Sequence, residues 1–264
     1  MVKHSQYSAF TLALLFLGGL VLLFILAPLL NITFNTSLSS ITETIEDHEV
    51  GQSIWLTLWT SMVATLVLGL GSIPLAYVLA HRNFRLKRLV QGIIDLPVVI
   101  PHSAAGIAIL GVISRDSWLG QAAESAGLEF VGHPAGIMVA MAFVSVPYLI
   151  NAARDGFAQV PDRIEKAALN LGASPARVFF RISTPLAWRS IVSGLILMFA
   201  RGMSEFGAVV IIAYHPMITP VLIYERFGAF GLEYARPVSV IFIAVCLSFF
   251  ILLRMLVKEP KRHA

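Results

Sequence analysis

Charged side chains are scarce in this chain. Asp, Glu, Lys and Arg make up 13% of its 264 residues, roughly half the share in a soluble globular domain. With 57% apolar residues and a mean hydropathy of +0.81, this excludes water as the main solvent for most of the surface. Cysteine is nearly missing. Cys246 stands alone in an apolar run, which excludes a disulfide scaffold and a cysteine zinc cluster. The dipeptide Gly-Lys does not occur, so there is no G-x-x-x-x-G-K-[ST] phosphate loop to cradle ATP. His102 has no His, Cys, Asp or Glu at ligand spacing, and no metal site is expected. No nucleophile–base–orienter set is visible, which argues against an enzyme. Proline and glycine, 13 and 19 residues, are too few for a low-complexity chain. Neither a repeat with a period of about 20–50 residues nor an inverted pair of halves is evident.

Long apolar runs stand in place of these features. Six are long enough to cross a bilayer, which takes about 20 residues: about 9–30, 54–80, 91–114, 134–153, 187–213 and 236–257. They predict an all-α membrane protein, a single transmembrane domain over residues 1–264 with six transmembrane helices per chain. The first run exceeds a signal-peptide core of about 7–15 residues and lacks a small-x-small cleavage pattern, so it is expected to be retained. Loop charge then sets orientation. With the N-terminus in the cytoplasm, fifteen of the 19 lysines and arginines lie inside: Lys3, the 82–88 loop, residues 154–189 and the segment from Arg254 on. Only Arg115, Arg226 and Arg236 lie outside, and Arg201 falls within a span. This bias places both termini and the loop 154–186 in the cytoplasm, in a multi-pass protein of the cell membrane. It also accounts for the pI of 9.4. No aromatic-interleaved basic surface is present, so nucleic acid is not an expected partner. The outer loops lean acidic through Glu43, Glu46, Asp47, Glu49, Glu124 and Glu129.

The loop at about 160–186 is the most informative stretch. After Pro161, Asp162–Leu171 suits a helix, with Asp162 and Glu165 in the first turn, where they complement its dipole. Gly172 supplies the residue most tolerant of the left-handed turn that ends a helix. Ser174 as N-cap and Pro175 at the first helical position start a second helix, about 175–182. That helix puts Val178, Phe179 and Ile182 on one side and Arg177 and Arg181 on another. Ala167 and Ala168 leave room for another backbone to approach. Pro185 is expected to stop the unit before the fifth span. An amphipathic hairpin of this kind has little to do in lipid and suits a soluble partner, the alternative being a hairpin lying on headgroups.

The pattern Ala167-Ala168-x3-Gly172, with Phe180, Ile182 and Pro185 following, resembles the EAA loop of the permease subunits of ABC importers. The motif's opening acid is displaced by one position: Lys166 stands there and Glu165 precedes it. Two further segments, Asp95–His102 and Ala200–Ala208, are similar to the oxyanion branch of that family, nearest to the molybdate/tungstate type. The resemblance covers roughly residues 50–255. It implies a type I importer permease fold with the loop acting as a coupling hairpin against an ATPase. It further implies a particle of two copies of this chain, two ATP-binding subunits and an extracytoplasmic oxyanion-binding protein, set in membrane lipid. ATP and magnesium would then belong to the ATPase, and this chain would hold no cofactor. The residues expected to serve coupling are Glu165, Ala167, Ala168, Gly172, Ala173, Ser174, Pro175, Arg177, Val178 and Phe179.

Three ionisable residues fall at membrane depth: Asp95, Arg201 and Glu205. An unpaired charge there costs about 2.5–3.5 kcal/mol on the insertion scale, so such groups face protein or water. Arg201 and Glu205, at i and i+4, are expected on one helix, either lining a conduit or gate or locking helices together. Asp95 is expected to pair with the basic loop at 82–88. Pro97 and Pro101 interrupt the third span and free carbonyl groups that neighbours or water must satisfy. His102, Ser103 and Ser204 complete the candidate pathway residues. The alternatives are a sulfate/thiosulfate permease, a self-sufficient secondary transporter and a non-transporting membrane scaffold.

Overall fold

A computed structural model describes residues 8–255. Lys3, Lys258, Lys261 and Arg262, which entered the orientation argument, lie outside the described residues. Within them the chain is helical, without strands: α1 (Ala9–Phe34), α2 (Leu38–Glu46), α3 (His48–His81), α4 (Lys87–Val99), α5 (His102–Ile113), α6 (Trp118–Ser125) and α7 (Pro134–Ala158). There follow α8 (Asp162–Asn170), α9 (Pro175–Val178), a π-helical turn (Phe179–Ser183), α10 (Thr184–Met203), α11 (Val209–Ile212), α12 (Thr219–Phe230) and α13 (Leu232–Met255). Five stretches are long and apolar enough to cross a membrane, and α4 with α5 make a sixth only as a pair bent by 113°.

The expected third span, 91–114, is therefore two helices. Ile100 and Pro101 between them are extended, with ψ of 147° and 135°. Proline forces the residue before it out of the helical region and brings no N–H of its own, so the ladder cannot pass. The expected fifth span, 187–213, is also interrupted. Its helix ends at Met203, and a short turn leads to α11. The second span, expected at 54–80, runs from His48 to His81, about 51 Å at 1.5 Å per residue. That exceeds a hydrocarbon layer of about 30 Å, so its ends stand in a polar environment. Asp47 caps the start by accepting from the Glu49 N–H at 2.9 Å.

Burial separates the core from the periphery. The most apolar stretch of α7 is 56% buried, whereas that of α1 is 0% buried. α7 lies between α3 and α10, which makes these three helices the centre. Small residues bring them close: a Cβ on Gly156 would lie 2.4 Å from Ser190 Cβ, and one on Gly202 would lie 2.6 Å from Ser61 Oγ. Without a hydrophobic driving force between helices in lipid, such close approach is what earns dispersion contact. One apolar cluster, with Leu79, Ile150, Phe157 and Ile191, packs α3, α7 and α10 near the hairpin. A second, with Ile109, Met141, Ile212 and Val221, packs α5, α7, α11 and α12 at the far end.

Candidate functional site

Two places concentrate the polar chemistry: the hairpin 162–183 and the joint where the two interrupted spans meet.

At the hairpin, α8 ends as the sequence predicts. Gly172 has φ +86°, and its N–H and that of Ala173 bond to the carbonyls of Leu169 and Ala168, each at 3.0 Å. This is the left-handed C-terminal cap that glycine favours. Ser174 Oγ accepts from the Arg177 N–H at 3.3 Å, and Pro175 occupies the first turn of the next helix. The expected helix 175–182 differs, however. It is α-helical only to Val178, then widens into the π turn and runs on into α10. Pro185 does not stop it. The Thr184 N–H reaches back to the Phe179 carbonyl, and the wider turn accommodates the missing Pro185 donor in the first turn of α10.

The hairpin has an inner and an outer face. Val178 is buried, and Phe179 packs edge-on against Tyr77 with ring centroids 5.0 Å apart and lies 6.0 Å from Phe157. These two residues bear on the chain's own spans. Ala167, Gly172, Ser174, Pro175 and Arg177 are exposed, while Ala168 and Ala173 are half-buried. The outer face also carries Leu171 and Phe180, 89% and 68% exposed. Sequence reading passed over Leu171, although a leucine before a helix-ending glycine in a polar loop was a usable signal. Glu165 is buried. Its Oε1 accepts from Ser183 Oγ, and its Oε2 lies 3.2 Å from His81 Nε2. The ring's other nitrogen, Nδ1, lies 3.0 Å from the Tyr77 carbonyl. No spacing in the sequence announces His81 or Ser183, because they come from separate elements.

At the joint, α5 begins beside the end of α10. Arg201 Nη2 lies 2.9 Å from Glu205 Oε2, and His102 Nδ1 lies 2.8 Å from the same oxygen. Arg201 Nη2 is also 2.9 Å from both ring nitrogens of His102. Arg201 and Glu205 do pair, though not on one helix. Ser204 caps α10, and Glu205 lies beyond it, its Oε1 accepting from the Ala208 N–H at 2.8 Å. That side chain supplies an acceptor at the entry to α11 and so favours the break. Ser204 Oγ lies 3.4 Å from Arg201 Nη1. Ser103 is exposed in the first turn of α5, without a side-chain hydrogen bond to the other four among the described residues. Asp95 is elsewhere, and the expected pairing with the 82–88 loop is replaced: its Oδ1 accepts from Asn151 Nδ2 of α7 at 2.6 Å. α4 lies along α7, which carries Asp95 away from that loop.

Residues 72–262 match the family described as binding-protein-dependent transport system inner membrane component. The molybdate/tungstate transport system permease protein WtpB of Pyrococcus abyssi is 41% identical over 247 residues, 93% of this chain and 94% of that one. Its namesake in Methanocaldococcus jannaschii is 43% identical over 209 residues, 79% and 82% of the two chains. A probable sulfate transport system permease protein cysT of Chlorokybus atmophyticus is 34% identical over 196 residues, 73% and 68%. In fold, the chain resembles a bacterial ABC transporter involved in import of the acidic polysaccharide alginate. The TM-score is 0.73 at 15% identity, with 96% of each chain covered. With most of its length matched and both the hairpin and the joint inside that match, this membrane protein belongs to the inner membrane components of binding-protein-dependent transport systems.

Proposed function

We propose that this chain is the membrane-spanning subunit of an ATP-driven importer for a tetrahedral oxyanion, molybdate or tungstate. The carrying observation is identity of about 41% with WtpB along 93% of the chain, hairpin and joint included. In this reading two copies enclose a path, and both termini and the hairpin lie in the cytoplasm. Two ATP-binding subunits hold the hairpins, supplying ATP and magnesium, and an extracytoplasmic binding protein delivers the anion. The charge bias of the loops supports that orientation.

The hairpin's two faces fit the division of labour. The outer face, with Leu171, Phe180 and Arg177, meets the ATPase. The inner face, with Glu165, Val178 and Phe179, passes the displacement to α3 and α7. Because interiors are packed and not continuously deformable, a push on the hairpin shifts whole spans. The continuous path from Pro175 through α10 leads from the hairpin to Arg201, so the joint responds to the same push. His102, Arg201, Ser204 and Glu205 are then pathway or gate residues. Ser103 shares the first turn of α5, and Asp95 lies apart on α4.

Reconstituting the full complex in liposomes without an ion gradient tests this. ATP-dependent uptake of tungstate or molybdate is expected, stimulated by the binding protein. Uptake that needs an ion gradient and no ATPase would contradict it. The sulfate reading rests on the 34% identical relative. Calorimetric titration of the binding protein with tungstate and sulfate separates the two, sulfate binding alone favouring the second.

A further inference from the structure

The geometry points to a weak oxyanion seat at the joint, formed by the free part of the Arg201 fork and the first turn of α5, with His102 and Ser204 holding that fork in place and Glu205 as its buried counter-charge. It rests on the reading that this chain conducts a tetrahedral dianion, and it names where that ion is held in passage.

The charges are arranged front to back. Glu205 is fully buried, whereas the Arg201 and His102 side chains are 19% and 38% exposed. A solute reaching this surface therefore meets guanidinium and imidazole first, with the carboxylate behind them. Arginine carries five N–H donors in a planar fork suited to oxyanions. Nη2 is committed to Glu205 and His102, and Nη1 makes one long contact to Ser204 Oγ at 3.4 Å. The rest of the fork has no protein acceptor among the described residues.

The break in the third span supplies further donors. α5 starts at His102 without a side-chain cap, so the amides of its first turn are unspent and its positive end faces the joint. Gly207 passes close to this end without placing a side chain over it. A Cβ there would lie 2.7 Å from His102 Cβ and 3.4 Å from the Ser103 nitrogen. An unbroken third span would present none of these amides, since a continuous helix uses its own. The interruption is thereby tied to the ligand chemistry.

Glu205 also explains why the seat would release its ion. Arg201 alone would hold a dianion tightly in a low-dielectric site. Paired with a carboxylate, it leaves a nearly neutral cluster whose attraction comes from oriented donors. Conduction requires binding strong enough to admit the ion and weak enough to let it go. The competing explanation is a lock, in which the pair only neutralises itself and holds α10 against α5.

The assembled transporter, with its ATPases and binding protein in liposomes, distinguishes seat from lock. R201Q/E205Q removes both charges and leaves no unpaired buried acid. For a seat, the ratio of labelled tungstate taken up to ATP hydrolysed falls at least tenfold. A smaller fall, or none, overturns the seat. Should the double variant fail to assemble, E205Q decides. It unmasks Arg201, so the washed complex must retain at least tenfold more tungstate than wild type, and equal retention overturns the seat. A wild-type complex that hydrolyses ATP but moves no tungstate, molybdate or sulfate overturns the transport reading itself, and the seat with it.

Discussion

Ser183 Oγ donates a hydrogen bond to Glu165 Oε1, closing the hairpin across eighteen residues of chain. The same carboxylate lies 3.2 Å from His81 Nε2 at the end of α3. One buried acid thus ties the first helix of the hairpin both to its exit turn and to a membrane span. E165A leaves His81 Nε2 without its acceptor and the Ser183 hydroxyl with only the long contact to the Val178 carbonyl at 3.4 Å, at a cost of about 1–3 kcal/mol. Thermal unfolding of the purified protein should register that loss. Hydrogen exchange should rise across 162–183 more than in α7. Uptake per ATP should fall as well, because α8 no longer moves with α3.

Gly172 offers a test free of packing effects. Its φ is +86°, and an added Cβ would meet nothing within 4 Å. G172A is therefore strained through the backbone alone, by about 1–2 kcal/mol, and asparagine should be tolerated better than alanine. Uptake should follow the order Gly, Asn, Ala. Equal loss with Asn and Ala would mean that the left-handed turn is not what matters.

How much of this was legible beforehand depends on the kind of contact. The caps of α8 and α9 could be read because Gly172, Ser174 and Pro175 act on their own neighbours in sequence. Six apolar runs were visible for the same reason. The 113° bend between α4 and α5 was half visible: Pro101 announces an interruption without telling its angle, whereas Pro97, expected to interrupt the span too, lies inside α4. Pro185 misled, since a proline's meaning depends on whether the turn before it widens. The partners of Asp95 and Glu165 were out of reach. Asn151, His81 and Ser183 come from other elements, and only the packing of those elements brings them in. His102 was marked as a pathway residue, yet its approach to Arg201 from 99 residues away has no periodicity to betray it.

The contact of α7 with α10 should be sensitive to one methyl group. A Cβ on Gly156 would lie 2.4 Å from Ser190 Cβ. G156A is expected to destabilise by about 1–3 kcal/mol through overpacking. S190G should recover much of that loss in a double-mutant cycle. Additive effects measured by thermal unfolding would show that these two positions do not meet.

At the end of the molecule away from the hairpin, Arg226 Nη2 lies 2.6 Å from Asp47 Oδ2 and 3.2 Å from Glu49 Oε2. The hydrogen bond from Arg226 holds the Asp47 carboxyl below its ordinary value of 3.8, against the opposing effect of burial. A folded-state value lowered in this way stabilises above the unfolded value, and the contribution is lost as pH falls through the folded one. The clamp's contribution should therefore be complete well above the ordinary carboxylate value and be lost progressively as pH falls past it and through the lowered one. D47N should flatten that acid limb of the unfolding midpoint. The effect should be small, since Asp47 remains partly exposed and solvent screens the pair.

The account turns on whether the hairpin's outer face carries a second polypeptide. A photo-crosslinking residue at Leu171, with the same probe at Phe179 as an inward-facing control, measures this in the assembled transporter. The account predicts an adduct between Leu171 and the ATP-binding subunit whose yield changes when ATP is added, with little from Phe179. No adduct from Leu171 in a complex that still imports oxyanion would contradict it.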